Sequence, residues 1–236
     1  MSSVFVTGGN RGIGLGIVRE FLKDQNFKHV IATTRNVAKS EELAAIKDSR
    51  LHVIEMDLGN DDSIKTALSK TEAIVGSAGL DILINNSGIF ESYPIDGPID
   101  RAKLHRMYDT NTVGALIVTQ VFLPLVKKSA HPKVIMISSG LGSIGGSHGS
   151  IDFNVVGYAM SKSAMNQAMK TLAVDHANDP IIFTSFCPGF NSTNLNQYRG
   201  VLKVEDTTPV LVESIKKITK VHSGGYYHRD RVAIPY

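Results

Sequence analysis

Short, almost wholly apolar runs rich in β-branched residues alternate with helix-periodic stretches along the chain, and this alternation leaves few folds open. The runs are Val4–Val6, His29–Thr34, Leu51–Met56, Asp81–Asn85, Lys133–Ser138 and Ile181–Cys187. Strands that read apolar at successive positions are buried on both faces, as in a parallel sheet. Between them, helical spacing covers Ile13–Lys23, Glu41–Lys47, Ser63–Val75, Ala102–Val126 and Tyr158–His176. Asp61-Asp62-Ser63 reads as a helix start, with carboxylates at the positive end of the dipole. Strand and helix in strict alternation imply right-handed crossovers and a doubly wound parallel α/β sheet with helices on both faces. Tyr226-Tyr227, after Gly224-Gly225, reads as a closing edge strand, which makes about seven strands in all. With neither repeat nor linker, 236 residues form a single domain spanning residues 1–236.

Thr7-Gly8-Gly9-Asn10-Arg11-Gly12-Ile13-Gly14 follows the first strand and opens the first helix. Glycines at such a turn let the backbone approach a pyrophosphate, and the helix amino terminus offers unpaired N–H donors. The placement makes the unit a Rossmann-type dinucleotide-binding one, and no lysine of a nucleotide-hydrolysing loop is present. At the end of the second strand, NAD binders carry an acid for the ribose 2′-hydroxyl. Here the sequence reads Ala32-Thr33-Thr34-Arg35. Arg35 can pair with a 2′-phosphate and Arg11 can approach the same group, which favours NADP(H).

Tyr158 and Lys162 are spaced i, i+4 at the start of the helix that follows an irregular segment, Gly140–Val156. That spacing puts phenol and ammonium on one helix face. A free tyrosine, with a pKa near ~10, is a poor acid–base at neutral pH, and a neighbouring cation would lower it. Ser138-Ser139 ends the fifth strand, on the side of an open α/β sheet where ligands bind.

Taken in order, Thr7-Gly8-x-x-x-Gly12-x-Gly14, Asp57-Leu58, Asn85-Asn86-Ser87-Gly88, Asn111, Ser139, Tyr158-x-x-x-Lys162 and Pro188-Gly189-x-x-x-Thr193 resemble the short-chain dehydrogenase/reductase family over the whole chain. More narrowly, Asn10–Gly16, Ile137–Ile144 and the Gly224-Gly225-Tyr226 ending resemble the sniffer-type carbonyl reductases. The resemblance implies a NADP(H)-dependent reduction of a small aldehyde, ketone or quinone, with the cofactor held by Gly8, Asn10, Arg11, Gly12, Ile13 and Gly14. It implies that Tyr158 donates a proton to the carbonyl oxygen and Ser139 hydrogen-bonds it. Lys162 would hold the nicotinamide ribose and lower the tyrosine pKa, and Asn111 would hold a water linking Lys162 to solvent. Asp57 and Leu58 would flank the adenine, with Asn86, Ser87 and Gly88 along the adenosine ribose. Pro188 and Gly189 would shape the carboxamide pocket, and Thr193 would reach the carboxamide or the pyrophosphate. Two departures stand out: Ser87 where the family has alanine, and a longer Ser139-to-Tyr158 spacing, Gly140–Val156, at the substrate entrance. Ile144, Phe153, Val155 and Phe190 are candidates for an apolar substrate wall.

Several other readings are weaker. Gly145–Gly149 spells a hydrolase G-x-S-x-G but lacks the strand before and the helix after it. A sugar epimerase of the extended type needs a substrate domain for which the stretch after Tyr158 is too short. A silent NADP(H) sensor would be expected to lose Ser139, Tyr158 or Lys162, and an alcohol dehydrogenase would use the same residues in the oxidative direction. Scattered histidines and a lone Cys187 argue against a metal site and an intrachain disulfide. A net charge of +3 lacks the basic stripe of a nucleic-acid binder. Thr119, Gln120 and Pro124 interrupt the most apolar stretch, which argues against a membrane span. With an amino terminus that turns glycine-rich early, the expected location is cytoplasmic. A homodimer or homotetramer stays open, because related enzymes occur as monomers, dimers and tetramers.

Overall fold

A computed structural model describes residues 2–146 and 154–236. Seven strands, β1 (Ser2–Val6), β2 (Phe27–Thr34), β3 (Leu51–Glu55), β4 (Ile82–Asn85), β5 (Lys133–Ile137), β6 (Ile182–Cys187) and β7 (Tyr226–His228), form one sheet. Its order is β3-β2-β1-β4-β5-β6-β7, and every neighbouring pair is parallel. The order reverses between β1 and β4, so a crevice opens beyond their carboxyl ends.

The helices are α1 (Gly12–Lys23), α2 (Glu41–Ala44), α3 (Asp61–Val75), α4 (Arg101–Tyr108), α5 (Ala115–Lys127), α6 (Val156–Asp175) and α7 (Val204–Lys217). One apolar cluster gathers Phe5, Ile31, Leu83 and Phe183 with Ile64 of α3, Phe122 of α5 and Met165 of α6. The other gathers Val4, Val30, Ile84 and Phe186 with Ile17 and Phe21 of α1 and Leu211 and Ile215 of α7. Successive side chains of the central strands thus enter opposite cores, which is why these strands read as unbroken apolar runs.

Asn60 caps α3 by accepting from the Ser63 N–H, with Asp61 and Asp62 in its first turn. α2 is shorter than its periodicity implied, ending at Ala44. Helix α7 has no counterpart among the expected elements. Its Val, Thr and Pro209 content hides a face that buries Leu211, Val212 and Ile215.

The expected single helix over Ala102–Val126 is three pieces, because a π-helical segment, Asp109–Gly114, joins α4 to α5. The run Arg101–Lys127 holds an 18-residue window long and apolar enough by composition to cross a membrane, with a mean hydropathy of 1.3 and half of that window buried. In the fold it is a core helix, stacking Phe122 against Phe5 of β1 at 4.6 Å between ring centroids.

On β2 and β3 the half-buried His29 and His52 face each other, Nδ1 to Nε2 at 3.2 Å. Burial, then the neighbouring His29, holds the His52 pKa below its usual value. The unfolded chain therefore binds more protons between that lowered value and about 6.5. The stability that neutral His52 contributes is present above that range and is lost as pH falls through the folded pKa. Thermal midpoints should fall more steeply from pH 7 to pH 5 in the native chain than in His52→Gln, and equal slopes would contradict this.

Candidate active site

The glycine turn is braced from both sides. Gly8 and Gly12 take positive φ, 64° and 54°. Gly9 N–H donates to the Thr33 carbonyl at 2.8 Å and Gly8 N–H to Thr33 Oγ1 at 3.2 Å, which ties the turn to β2. Just beyond β4, the Asn86 amide donates to the carbonyls of Thr7 and Gly8 at 2.9 and 3.2 Å. Thr7 Oγ1 accepts the N–H groups of Asn86 and Ser87, both at 2.9 Å. A Cβ on Gly14 would lie 2.2 Å from the Gly8 carbonyl oxygen, so the turn closes only around glycine. No side chain caps α1 and no acid lies in its first turn, so the helix presents an electropositive end to the crevice.

That end opens into a cleft of about 1530 Å³ lined by every residue singled out for cofactor binding. At one end, Arg35, Asn36 and Lys39 follow β2, facing Asp57, Leu58 and Gly59 after β3. Asp57 Oδ1 accepts the Gly59 N–H at 3.1 Å. Lys39 was not anticipated, although a cation four residues past Arg35 is visible in the sequence. Arg11 reaches across the cleft, where Nη1 donates to Asn194 Oδ1 at 3.0 Å. Thr193 lies beside the same turn, its methyl 3.5 Å from where a Gly12 Cβ would stand. This puts it against the glycine loop, where a pyrophosphate would lie.

At the other end, Ser139, Tyr158 and Lys162 come together. Lys162 is 3% exposed, and its Nζ donates to the Ile137 carbonyl at 3.0 Å and stands 5.6 Å from the Tyr158 ring centroid. Burial brings its pKa down to about 8. Burial, and then the nearby Cys187, push the Tyr158 phenol well above its ordinary value, and a hydrogen bond with the Ser139 side chain opposes this. With the protein's own groups alone, burial therefore outweighs the lowering expected from Lys162. Phe90 packs edge-on against the Tyr158 ring at 5.6 Å, a wall residue the motifs did not flag.

Of the serine pair, Ser139 is partly exposed, whereas Ser138 is 3% exposed and lies beside the Tyr226 phenol. Asn111 stands in the π-helical segment, fully buried behind the cleft. Its amide donates to the Ile89 carbonyl at 2.9 Å and Ser161 Oγ at 3.0 Å, and its oxygen accepts the Ile89 N–H at 2.8 Å. With both amide hydrogens used, the side chain holds the Gly88–Ile89 segment in place.

Val155 and Phe190 line the cleft, but Ile144 does not and is 85% exposed. The reason is local, since Gly145 N–H donates to the Tyr236 carbonyl at 2.8 Å and draws this stretch toward Pro235 and Tyr236. Phe153 and the Ser147 of the hydrolase-like pattern lie outside the described residues. No group of three or more His, Cys, Asp or Glu placed to hold a metal occurs among the described residues.

The sequence profile of the short chain dehydrogenase family matches residues 2–201. An uncharacterised oxidoreductase of Schizosaccharomyces pombe is 32% identical over 257 aligned positions, covering 98% of this chain and 97% of that protein. The Sniffer protein of Caenorhabditis elegans superposes with a TM-score of 0.90 at 40% identity over 100% of this chain and 99% of its own. The carbonyl reductase Sniffer of Drosophila melanogaster gives 0.93 at 32% identity, with 100% of both chains covered. An NADPH-bound carbonyl reductase from chicken fatty liver gives 0.93 at 27% identity over 100% of this chain and 99% of its own.

Proposed function

Because the chain belongs to the short-chain dehydrogenase family of oxidoreductases, we propose that it is an NADPH-dependent reductase of aldehydes, ketones or quinones. The observation that carries this reading is one continuous cleft with the Ser139–Tyr158–Lys162 cluster at one end and Arg35 and Lys39 at the other. The fit to a dinucleotide rests on the braced glycine turn and the uncapped amino end of α1. The fit to a 2′-phosphate rests on two cations where an acid would otherwise stand.

NADPH, when bound, supplies the hydride. Gly8, Asn10, Gly12, Ile13 and Gly14 would hold its pyrophosphate together with Thr193, Arg11 would approach the 2′-phosphate, and Asp57 and Leu58 would flank the adenine. Asn86, Ser87 and Gly88 line the adenosine ribose, and Pro188 and Gly189 shape the carboxamide pocket. Ser139 orients the substrate carbonyl, and Tyr158 donates the proton to the oxygen that becomes the hydroxyl. A phenol pushed up by burial stays protonated at neutral pH, the form a reduction needs. Lys162 holds the nicotinamide ribose, and its charge stabilises the phenolate left after proton transfer. Asn111 would support a water link from Lys162 to solvent, while its side chain holds Ile89 and Ser161 in place.

Mixing the protein with NADPH and a panel of reactive carbonyls should give a steady loss of nicotinamide absorbance. Tight NADPH binding with no turnover on any of them would overturn the enzyme reading in favour of a sensor.

A further inference from the structure

We propose that Tyr226 and Cys187 are positioning residues that clamp the peptide unit between Ser139 and Gly140 and thereby aim the Ser139 hydroxyl. The Tyr226 phenol donates to the Ser139 carbonyl. The Gly140 N–H donates to Cys187 Sγ at 3.0 Å. Carbonyl and N–H belong to the same peptide group, which is planar, so gripping both ends fixes its orientation. The one backbone torsion between that plane and the Ser139 Cα is ψ of Ser139, which stands at 146°. Ser139 Oγ is left turned toward Tyr158 and accepts the Leu141 N–H at 3.3 Å.

Both clamping side chains come from the sheet and not from the loop they hold. Cys187 closes β6 and Tyr226 opens β7, two strands paired in parallel register. Tyr226 is 2% and Cys187 5% exposed, so neither competes with solvent for its partner. Cys187 Sγ also accepts the Gly189 N–H at 3.4 Å, which links the Ser139 turn to the Pro188–Gly189 turn across the cleft floor. Sulfur is the weaker acceptor, so the phenol carries the larger share of the clamp.

The inference rests on Ser139 being the group that hydrogen-bonds the substrate carbonyl. Tyr226→Phe, Cys187→Ala and Cys187→Ser are to be made in the native and in the Ser139→Ala background. Hydride transfer from NADPH to nitrobenzaldehyde is then read in single turnover with enzyme in excess. Tyr226→Phe should slow transfer about tenfold, short of the roughly 10²-fold that a full 1 Å misplacement can cost, with NADPH affinity unchanged. In Ser139→Ala the same substitution should add nothing, because it acts through the missing hydroxyl. Cys187→Ala should slow transfer by a smaller factor and Cys187→Ser should recover it, a second reading should Tyr226→Phe fold poorly. A native rate in Tyr226→Phe, or the same slowing in both backgrounds, would overturn the clamp while leaving the reductase reading intact. A native rate in Ser139→Ala would instead remove the role of Ser139, and the clamp with it.

Discussion

Tyr158→Phe should cut carbonyl turnover by about 10²-fold or more, the lower range for losing a general acid. NADPH affinity should stay within about twofold, because the substitution removes one hydroxyl and keeps the ring. The edge-on packing against Phe90 and the place of Lys162 beside the ring both survive in the variant. What disappears is the proton that burial holds on the phenol and the hydrogen bond with Ser139. The check is kcat on an aldehyde beside an NADPH titration followed by nicotinamide fluorescence. Unchanged kcat would mean that another group donates the proton, and lost NADPH affinity would mean that the phenol is a cofactor ligand first.

Arg35→Ala should weaken NADPH by about 10- to 100-fold, the range for losing a charge-assisted bond to a phosphate. NADH, which lacks the 2′-phosphate, should be nearly unaffected. Lys39 lines the same end of the cleft, so the single variant should keep part of the preference and Arg35→Ala with Lys39→Ala should lose most of it. Arg11 already gives a hydrogen bond to Asn194 and is expected to contribute less than Arg35. Dissociation constants for both dinucleotides decide the matter, and equal weakening of the two would remove the NADP(H) assignment.

Much of the sheet was readable from sequence because its central strands, buried on both faces, carry few polar positions to confuse the pattern. All seven strands differ from their sequence reading by no more than two residues at either end. Helix α7 was not readable, since Thr207, Thr208, Pro209 and Val210 read as strand or turn and are outvoted by packing against α1. The cofactor end was legible because glycines there meet backbone constraints that no other residue meets. Lys39 and Phe90 escaped because their use depends on which strand ends converge, and no local spacing records that. Tyr226 was legible as part of an edge strand, while its reach to Ser139 depends on the pairing of β7 with β6.

The π-helical segment at Asp109–Gly114 also sets an angular phase. In a regular helix each residue advances the azimuth by about 100°, so one residue more or less swings everything downstream by that angle. α4 packs Leu104 and Met107 onto α6 at Gly157, while α5 beyond the segment must direct Thr119 to Asn85 and Phe122 to Phe5. The wider turn dials these two sets of contacts into register with one another, and it brings Asn111 to Ile89 and Ser161 at the point where the dial turns. A one-residue deletion there would leave two sound helices out of step with one another.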